Sequence, residues 1–412
     1  MTTTGYADAG ALGARDAGLE EVSLGERRGR FDMAFLVLVL ILLVVGVVTV
    51  LSASYASAYY ESGDPTYYFT RQLAFAAGGV VIMLGVSRFT TRFMRRWSMW
   101  LLVFAIALLV LVLMFGETRN HAKRWFKIGS ITFQPSEIAK IAVIMSFSVM
   151  MCKYGENLRK FKKGTRKKFF ISLIPFVAVL GVVVFLLLKE PHKSAAIIIL
   201  AIAAIVLFTG GFDTKICLIA IVAAILAAVV LVKTVDAKYL SATEEEKKDY
   251  ATNRIIYWLH PDDDPADEGY QILQSLYAVG SGGLTGVGLG QSRQKYLYLP
   301  EEHNDYIFAI FCEEFGYVGA MFILVMFALL IIRGFWIALH ARSRFDALVA
   351  AGITGMFAIQ VFLNISVVTN FIPCTGISLP FFSYGGTALL VQLAEMGIVL
   401  AISRDITPTR AG

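Results

Sequence analysis

The stretch DMAFLVLVLILLVVGVVTVLSAS, residues 32–54, decides the class of fold. From Met33 to Leu51 it holds no charged side chain, and a helix of about 20 such residues crosses the roughly 30 Å of a bilayer's hydrocarbon. The small residues Ser52, Ala53 and Ser54 invite comparison with a cleaved leader. The apolar core is too long for one, and about thirty mostly polar residues precede it, so a retained span is expected.

Nine more apolar runs follow, at about 73–88, 98–115, 134–152, 170–188, 194–210, 214–233, 305–332, 347–369 and 384–403. The 412 residues are 57% hydrophobic and 17% charged, well below the roughly one-quarter charge of soluble domains. The sequence therefore predicts an all-α polytopic membrane protein with about ten transmembrane helices. Lys and Arg set its orientation in the cell membrane, because basic loops stay cytoplasmic. Arg27, Arg28 and Arg30, then Arg88 to Arg96, then the run from Lys153 to Lys168, then Arg333, Arg342, Arg344 and Arg404 fall on one side. Both termini are then cytoplasmic, as tails 1–31 and 404–412, and the membrane domain covers 32–403. A large extracellular loop, 234–304, joins helices seven and eight. The net charge of +6 sits mostly in short cytoplasmic loops, where topology and anionic headgroups account for it, and it points to no nucleic acid.

Within the large loop, Ile272, Leu273, Leu276 and Tyr277 recur at helical spacing, which predicts an interfacial amphipathic helix. The glycines from Gly280 to Gly290 that follow require a tightly turning backbone. Asp262, Asp263, Asp264, Asp267 and Glu268 enclose Pro265 and lack the spacing of a calcium loop, so a solvated acidic segment is expected. Cys152, Cys217, Cys312 and Cys374 are scattered, with neither disulfide nor metal-site spacing. Two more outer links, 119–135 and 370–386, mix Pro, Gly and aromatics, as backbone does where it dips into a membrane under protein cover.

Several charged residues are candidates for chemistry. Arg119, Lys123, Arg124 and Lys127 surround Trp125 in an outer loop. They fit an interfacial anchor as well as a site for a phosphate-like anion. Asp305 stands where the eighth span starts, and its simplest reading is as a residue favoured by the helix N-terminus. Glu313 and Glu314 lie deeper, where ionisable groups need a partner. Lys140, in the fourth span after Glu137, is the candidate counter-charge, forming a buried ion pair with Glu314.

Certain motifs, taken together and in order, resemble one family over most of the chain. They are Lys123-Arg124-Trp125 with Ile128-Gly129, Gln134-Pro135-Ser136-Glu137 with Lys140, and Gly280-Ser281-Gly282-Gly283-Leu284. The most specific are Leu299-Pro300-Glu301 through Asp305-Tyr306-Ile307-Phe308-Ala309, then Glu313-Glu314-Phe315-Gly316, and the run from Thr375 to Gly386. The chain resembles the SEDS proteins (shape, elongation, division and sporulation), and Ser292 to Pro300 is closer to their FtsW/SpoVE branch than to their RodA branch. One departure stands out. Where many members carry Gln-Pro-Asp-x-Gly-Thr, this chain has Glu190-Pro191-His192-Lys193-Ser194-Ala195, so no carboxylate role carries over to position 192.

The resemblance implies a peptidoglycan glycosyltransferase that polymerises lipid II, an undecaprenyl diphosphate-linked glycan precursor, at the outer membrane face. It makes Asp305 the general base, with Lys123, Arg124, Trp125, Lys140, Glu314 and Ser383 as substrate-binding candidates. No cofactor is evident, though a divalent cation (Mg2+ or Mn2+) is compatible with diphosphate departure. A class B penicillin-binding protein transpeptidase and other divisome membrane proteins are the implied partners, with the division septum as the place of work. The rival reading is a lipid II flippase, which the polytopic architecture and buried polar residues also suit.

Overall fold

The computed structural model describes residues 29–119, 122–129, 131–159, 161, 164, 166–241, 254–263 and 268–406. Most of the two expected tails, and the acidic stretch 264–267, lie outside the described residues.

All ten predicted spans are helices. In chain order they are α1 (Met33–Ala53), α3 (Tyr67–Val86), α4 (Thr91–Phe115), α5 (Pro135–Leu158), α6 (Arg166–Lys189), α7 (Lys193–Thr209), α8 (Thr214–Ser241), α11 (Ile307–His340), α12 (Arg344–Val368) and α13 (Gly386–Ile406). The short α2 (Tyr55–Ser62) follows α1, while α9 (Arg254–Leu259) and α10 (Glu268–Ser281) belong to the large loop. Among the described residues nine helices are long and apolar enough to cross a membrane. The tenth, α7, has 17 residues, cut short by Gly210 and by Gly211 at φ +83°. The predicted amphipathic helix is α10.

One small sheet accompanies the helices. Three strands, β1 (Glu117–Arg119), β2 (Ala122–Ile128) and β3 (Ile131–Phe133), form an antiparallel meander in the order β1-β2-β3. A membrane-dipping loop at this place would leave backbone groups unpaired; the meander pairs them with its own strands. Thr387 Oγ1 on α13 donates to the Thr132 carbonyl at 2.7 Å and fastens the sheet to the bundle.

The helices pack through small residues, as expected where lipid competes with side chains for apolar contact. Along α3 and α13, a Cβ on Gly397 would lie 2.6 Å from the Met83 carbonyl oxygen. Helices α5, α12 and α13 are mostly buried, whereas α8 buries only Tyr239. One end of the bundle is stapled by basic residues. Arg333 pairs with Asp32 at 2.7 Å, Arg404 donates to the carbonyls of Gly29 and Ser87, and Arg344 to that of Gly210.

After α10 the chain returns to α11 and pairs with it by backbone. Val287 and Gly288 N–H donate to the Glu313 and Glu314 carbonyls at 3.0 Å each, while Tyr317 and Val318 N–H donate to Gly283 and Leu284. Such pairing needs an opening in the helix. Gly316 provides it at φ 65°, ψ −166°, and a Cβ there would fall 2.3 Å from Gly286 N. Only glycine fits both the conformation and the space.

Candidate active site

Asp305 lies just before α11, whose cap position is Tyr306, and no side-chain hydrogen bond caps that helix. Asp305 therefore makes no capping hydrogen bond to that helix. Its backbone is held instead. Asn364 of α12 uses one amide nitrogen to donate to the Asp305 carbonyl at 2.7 Å and the Ile377 carbonyl at 2.8 Å. Ser383 Oγ donates to the Asn304 carbonyl and accepts from Leu379 N–H, both at 2.7 Å. Tyr384 N–H donates to the His303 carbonyl at 2.8 Å. The links 299–306 and 375–386 thus form one braced unit. A Cβ on Gly376 would sit 3.4 Å from Asp305 Oδ2, so the absence of a side chain there keeps the carboxyl approachable.

Half-buried Asp305 has its pKa pushed up to about 6, first by desolvation and then by the Glu301 charge, while Arg254 and His303 pull the other way. His303 is stacked on Tyr68 with ring centroids 4.5 Å apart. Arg254 begins α9 and donates to the Cys374 carbonyl at 3.3 Å. Trp258, one turn on, donates to the Asn370 carbonyl at 2.9 Å and seats α9 on the 370–374 segment. Arg254 was missed in the sequence, where 241–264 is a mainly acidic part of the large loop. Its signal was the basic-aromatic run Arg254-Ile255-Ile256-Tyr257-Trp258 inside that acidic stretch.

The basic cluster divides because side chains alternate along β2. Lys123 is exposed, Trp125 partly so, and Lys127 pairs with Glu117 at 3.3 Å on the surface. Arg124 turns inward and donates to the carbonyls of Glu190, at 3.3 Å, and Pro191. Ser194, in the first turn of α7, donates to the Thr375 carbonyl, and the Arg254 charge acts on both Arg124 and Asp305. Arg124, Arg254 and Asp305 therefore share one end of the bundle, opposite the basic staples.

One expected pairing changes. Lys140 does not pair with Glu314; it pairs with Glu137 one turn earlier, at 2.7 Å. Glu314 binds Lys295 at 3.0 Å and accepts from Ser52 Oγ at 2.6 and 2.8 Å. Beside it, Glu313 accepts from Ser292 Oγ at 2.5 Å and Arg293 N–H at 3.0 Å. Both glutamates clamp the 292–295 turn to α11, which gives Glu314 a bracing part. Ser383 also braces the site, through Asn304 and Leu379. Lys140 keeps a link to the site, since its charge reaches His192. Among the described residues no three His, Cys, Asp or Glu side chains converge as a metal-ligand set.

Comparison with known proteins places this arrangement. Residues 33–407 match the FtsW/RodA/SpoVE family, described as cell cycle proteins. Stage V sporulation protein E of Bacillus subtilis is 39% identical over 378 residues, covering 90% of this chain and 97% of that one. A probable peptidoglycan glycosyltransferase FtsW of Trichlorobacter lovleyi is 37% identical, covering 92% and 95%. Among solved structures, a chain of a peptidoglycan synthase complex that coordinates polymerization and crosslinking superposes with a TM-score of 0.71 at 26% identity, covering 91% and 98%. The rod shape determining protein RodA of Thermus thermophilus gives a TM-score of 0.64 at 25% identity, covering 91% and 97%. With nearly its whole length matched in sequence and in fold, the chain belongs to the FtsW/RodA/SpoVE family of membrane proteins.

Proposed function

We propose that the chain is a peptidoglycan glycosyltransferase that joins lipid II units into β-1,4 glycan strands, with Asp305 as general base. The observation that carries the base assignment is the setting of Asp305. Its carboxyl sits beside Gly376 at the mouth of the bundle, with a raised pKa that still leaves it ionised at neutral pH.

A sugar 4-hydroxyl is too weak an acid to attack unaided. In this reading Asp305 takes its proton as the oxygen bonds to the anomeric carbon of the second substrate. The bond from that carbon to the diphosphate breaks, and undecaprenyl diphosphate leaves with the electron pair. Inversion at the carbon converts the α-linked diphosphate into a β-linkage in one displacement. A diphosphate is already a good leaving group, so the second carboxylic acid of glycosidases is dispensable. Arg124 and Arg254 supply positive charge for the departing phosphates. The lipid tail stays in the bilayer throughout.

Asp305→Asn is the test, with purified protein in detergent and lipid II as substrate. Polymer formation should fall by at least about a hundredfold, the usual scale of general-base loss; a variant with parental activity refutes the assignment. The same assay addresses transport, because a flippase needs a sealed bilayer and a transferase does not; the relatives named as glycosyltransferases favour transfer. We further assign a class B penicillin-binding transpeptidase as partner, other divisome membrane proteins as neighbours, and the division septum as the site of action. The similarity to a complex coupling polymerization with crosslinking and to FtsW proteins supports these. A tagged copy should concentrate at the septum and co-purify with the transpeptidase.

A further inference from the structure

The turn between α6 and α7 holds two ionisable side chains that the chemistry above leaves unused. Glu190 is 1% exposed, and neither of its carboxyl oxygens has a hydrogen-bond partner. His192 Nδ1 is buried without a partner as well. The other ring nitrogen, Nε2, lies 3.4 Å from the Gln134 amide nitrogen. An amide nitrogen only donates, so Nε2 accepts and the ring proton sits on Nδ1, aimed at no acceptor. A third orphan, Thr375 Oγ1, adjoins Gly376 and hence Asp305. Buried polar groups left unpaired are costly, and several in one place mark a site completed by something else.

Their surroundings define what that is. Arg124 of β2 donates to the carbonyls of Glu190 and Pro191 and its charge acts on the Glu190 carboxyl; Lys140 of α5 and Arg124 both act on His192. Burial pushes Glu190 up to about 8, against the pull of Arg124. Burial, Arg124 and Lys140 push His192 down to about 3. At neutral pH both groups are therefore uncharged. A buried cluster that is polar yet neutral, next to a guanidinium, matches a sugar joined to a diphosphate: hydroxyl and amide groups on the neutral side, phosphate on the cation.

We propose that Glu190, His192 and Thr375 form the subsite for the hydroxyl and amide groups of an N-acetylated sugar whose diphosphate lies against Arg124. This rests on the glycosyltransferase reading above.

The test measures lipid II polymerisation by the full-length protein in detergent, together with its melting without substrate. Glu190→Leu should raise KM at least tenfold with a smaller change in kcat, and should melt at or above the parent temperature because an unpaired carboxyl is gone. Glu190→Gln should recover most of the loss at pH 7; the parent's KM should rise above pH 8 as Glu190 ionises, and Glu190→Gln should flatten that rise. A Glu190→Leu protein that melts lower with parental KM has lost a structural group, and the proposal falls. It falls equally if Glu190→Gln retains the alkaline rise, and that arm decides the matter if the leucine variant does not fold. Binding of fluorescent lipid II to Asp305→Asn, with and without Glu190→Leu, separates the two readings. Weaker binding in the double variant upholds the subsite even if Asp305 proves not to be the base; equal binding overturns it.

Discussion

Asp305 ionises against its surroundings, since burial and Glu301 oppose the charge that a base needs while Arg254 and His303 favour it. The rate should therefore rise with pH up to about 6 and level off above, read as kcat/KM for lipid II. Arg254→Gln removes a charge that stabilises the carboxylate, so this limb should move to higher pH as phosphate binding weakens. Stability runs the opposite way. A carboxyl whose folded pKa lies above its unfolded value binds more protons when folded, so its ionisation destabilises the fold as pH rises between those two values, and the cost is complete above the folded pKa. Asp305→Asn should thus melt higher at pH 8 by the equivalent of about 1–3 kcal/mol, and scarcely differ at pH 4. A variant that is less stable at pH 8 would mean that Asp305 holds the fold together. The sequence marked Asp305 because an acid at a helix start inside a specific motif is conspicuous. Arg254, Glu190 and His192 were not legible as site residues, because their meeting depends on how three outer links fold over one another.

At the scale of elements, the 292–295 turn is locked to α11 by a buried pair that sequence alone assigned to the wrong lysine. Hydropathy reports how deep Glu314 and Lys140 lie but not which way each faces around its helix. Lys140 has Glu137 one turn away, and Lys295 comes from a loop that folds back against α11. Breaking such a buried pair leaves one charge uncompensated, so Lys295→Met should cost about 3–5 kcal/mol, seen as a lower melting temperature in detergent. Replacing Glu314 by Gln in the same chain should recover much of that loss. A single variant with parental stability would show the pair to be idle. Gly316→Ala meets a separate obstacle, a left-handed φ of 65° and a Cβ 2.3 Å from Gly286 N, and should lose at least about 1–3 kcal/mol. The three-stranded meander escaped sequence reading for a physical reason. Its strands are short, two of them having 3 residues, and Lys123-Arg124-Trp125-Phe126-Lys127 places charge on both faces, so the alternation that betrays a half-buried strand is missing.

For the whole molecule, hydropathy located every span because the bilayer imposes length and apolarity on each helix separately. The neighbours of each helix are set by packing, where glycines such as Gly397 matter more than hydrophobicity. Both α8 and α5 read as spans in sequence, although one buries a single residue and the other most of its length. A helix so little engaged by its own chain meets lipid or a partner over nearly its entire surface. The remaining large-scale claim is orientation, argued from Lys and Arg. It requires the end bearing Asp305 and Arg124 to face outward and the end bearing Asp32–Arg333 to face the cytoplasm. Exposed positions at each end make this measurable. With Cys152, Cys217, Cys312 and Cys374 replaced, Lys123→Cys and Tyr298→Cys should react with a membrane-impermeant maleimide on intact spheroplasts. Arg92→Cys and Arg342→Cys should react only after lysis. The reverse pattern would place the base and its cationic neighbours on the cytoplasmic side, where a lipid-linked sugar reaching the site from the outer leaflet would find neither, and glycan synthesis at the outer face would have to be abandoned.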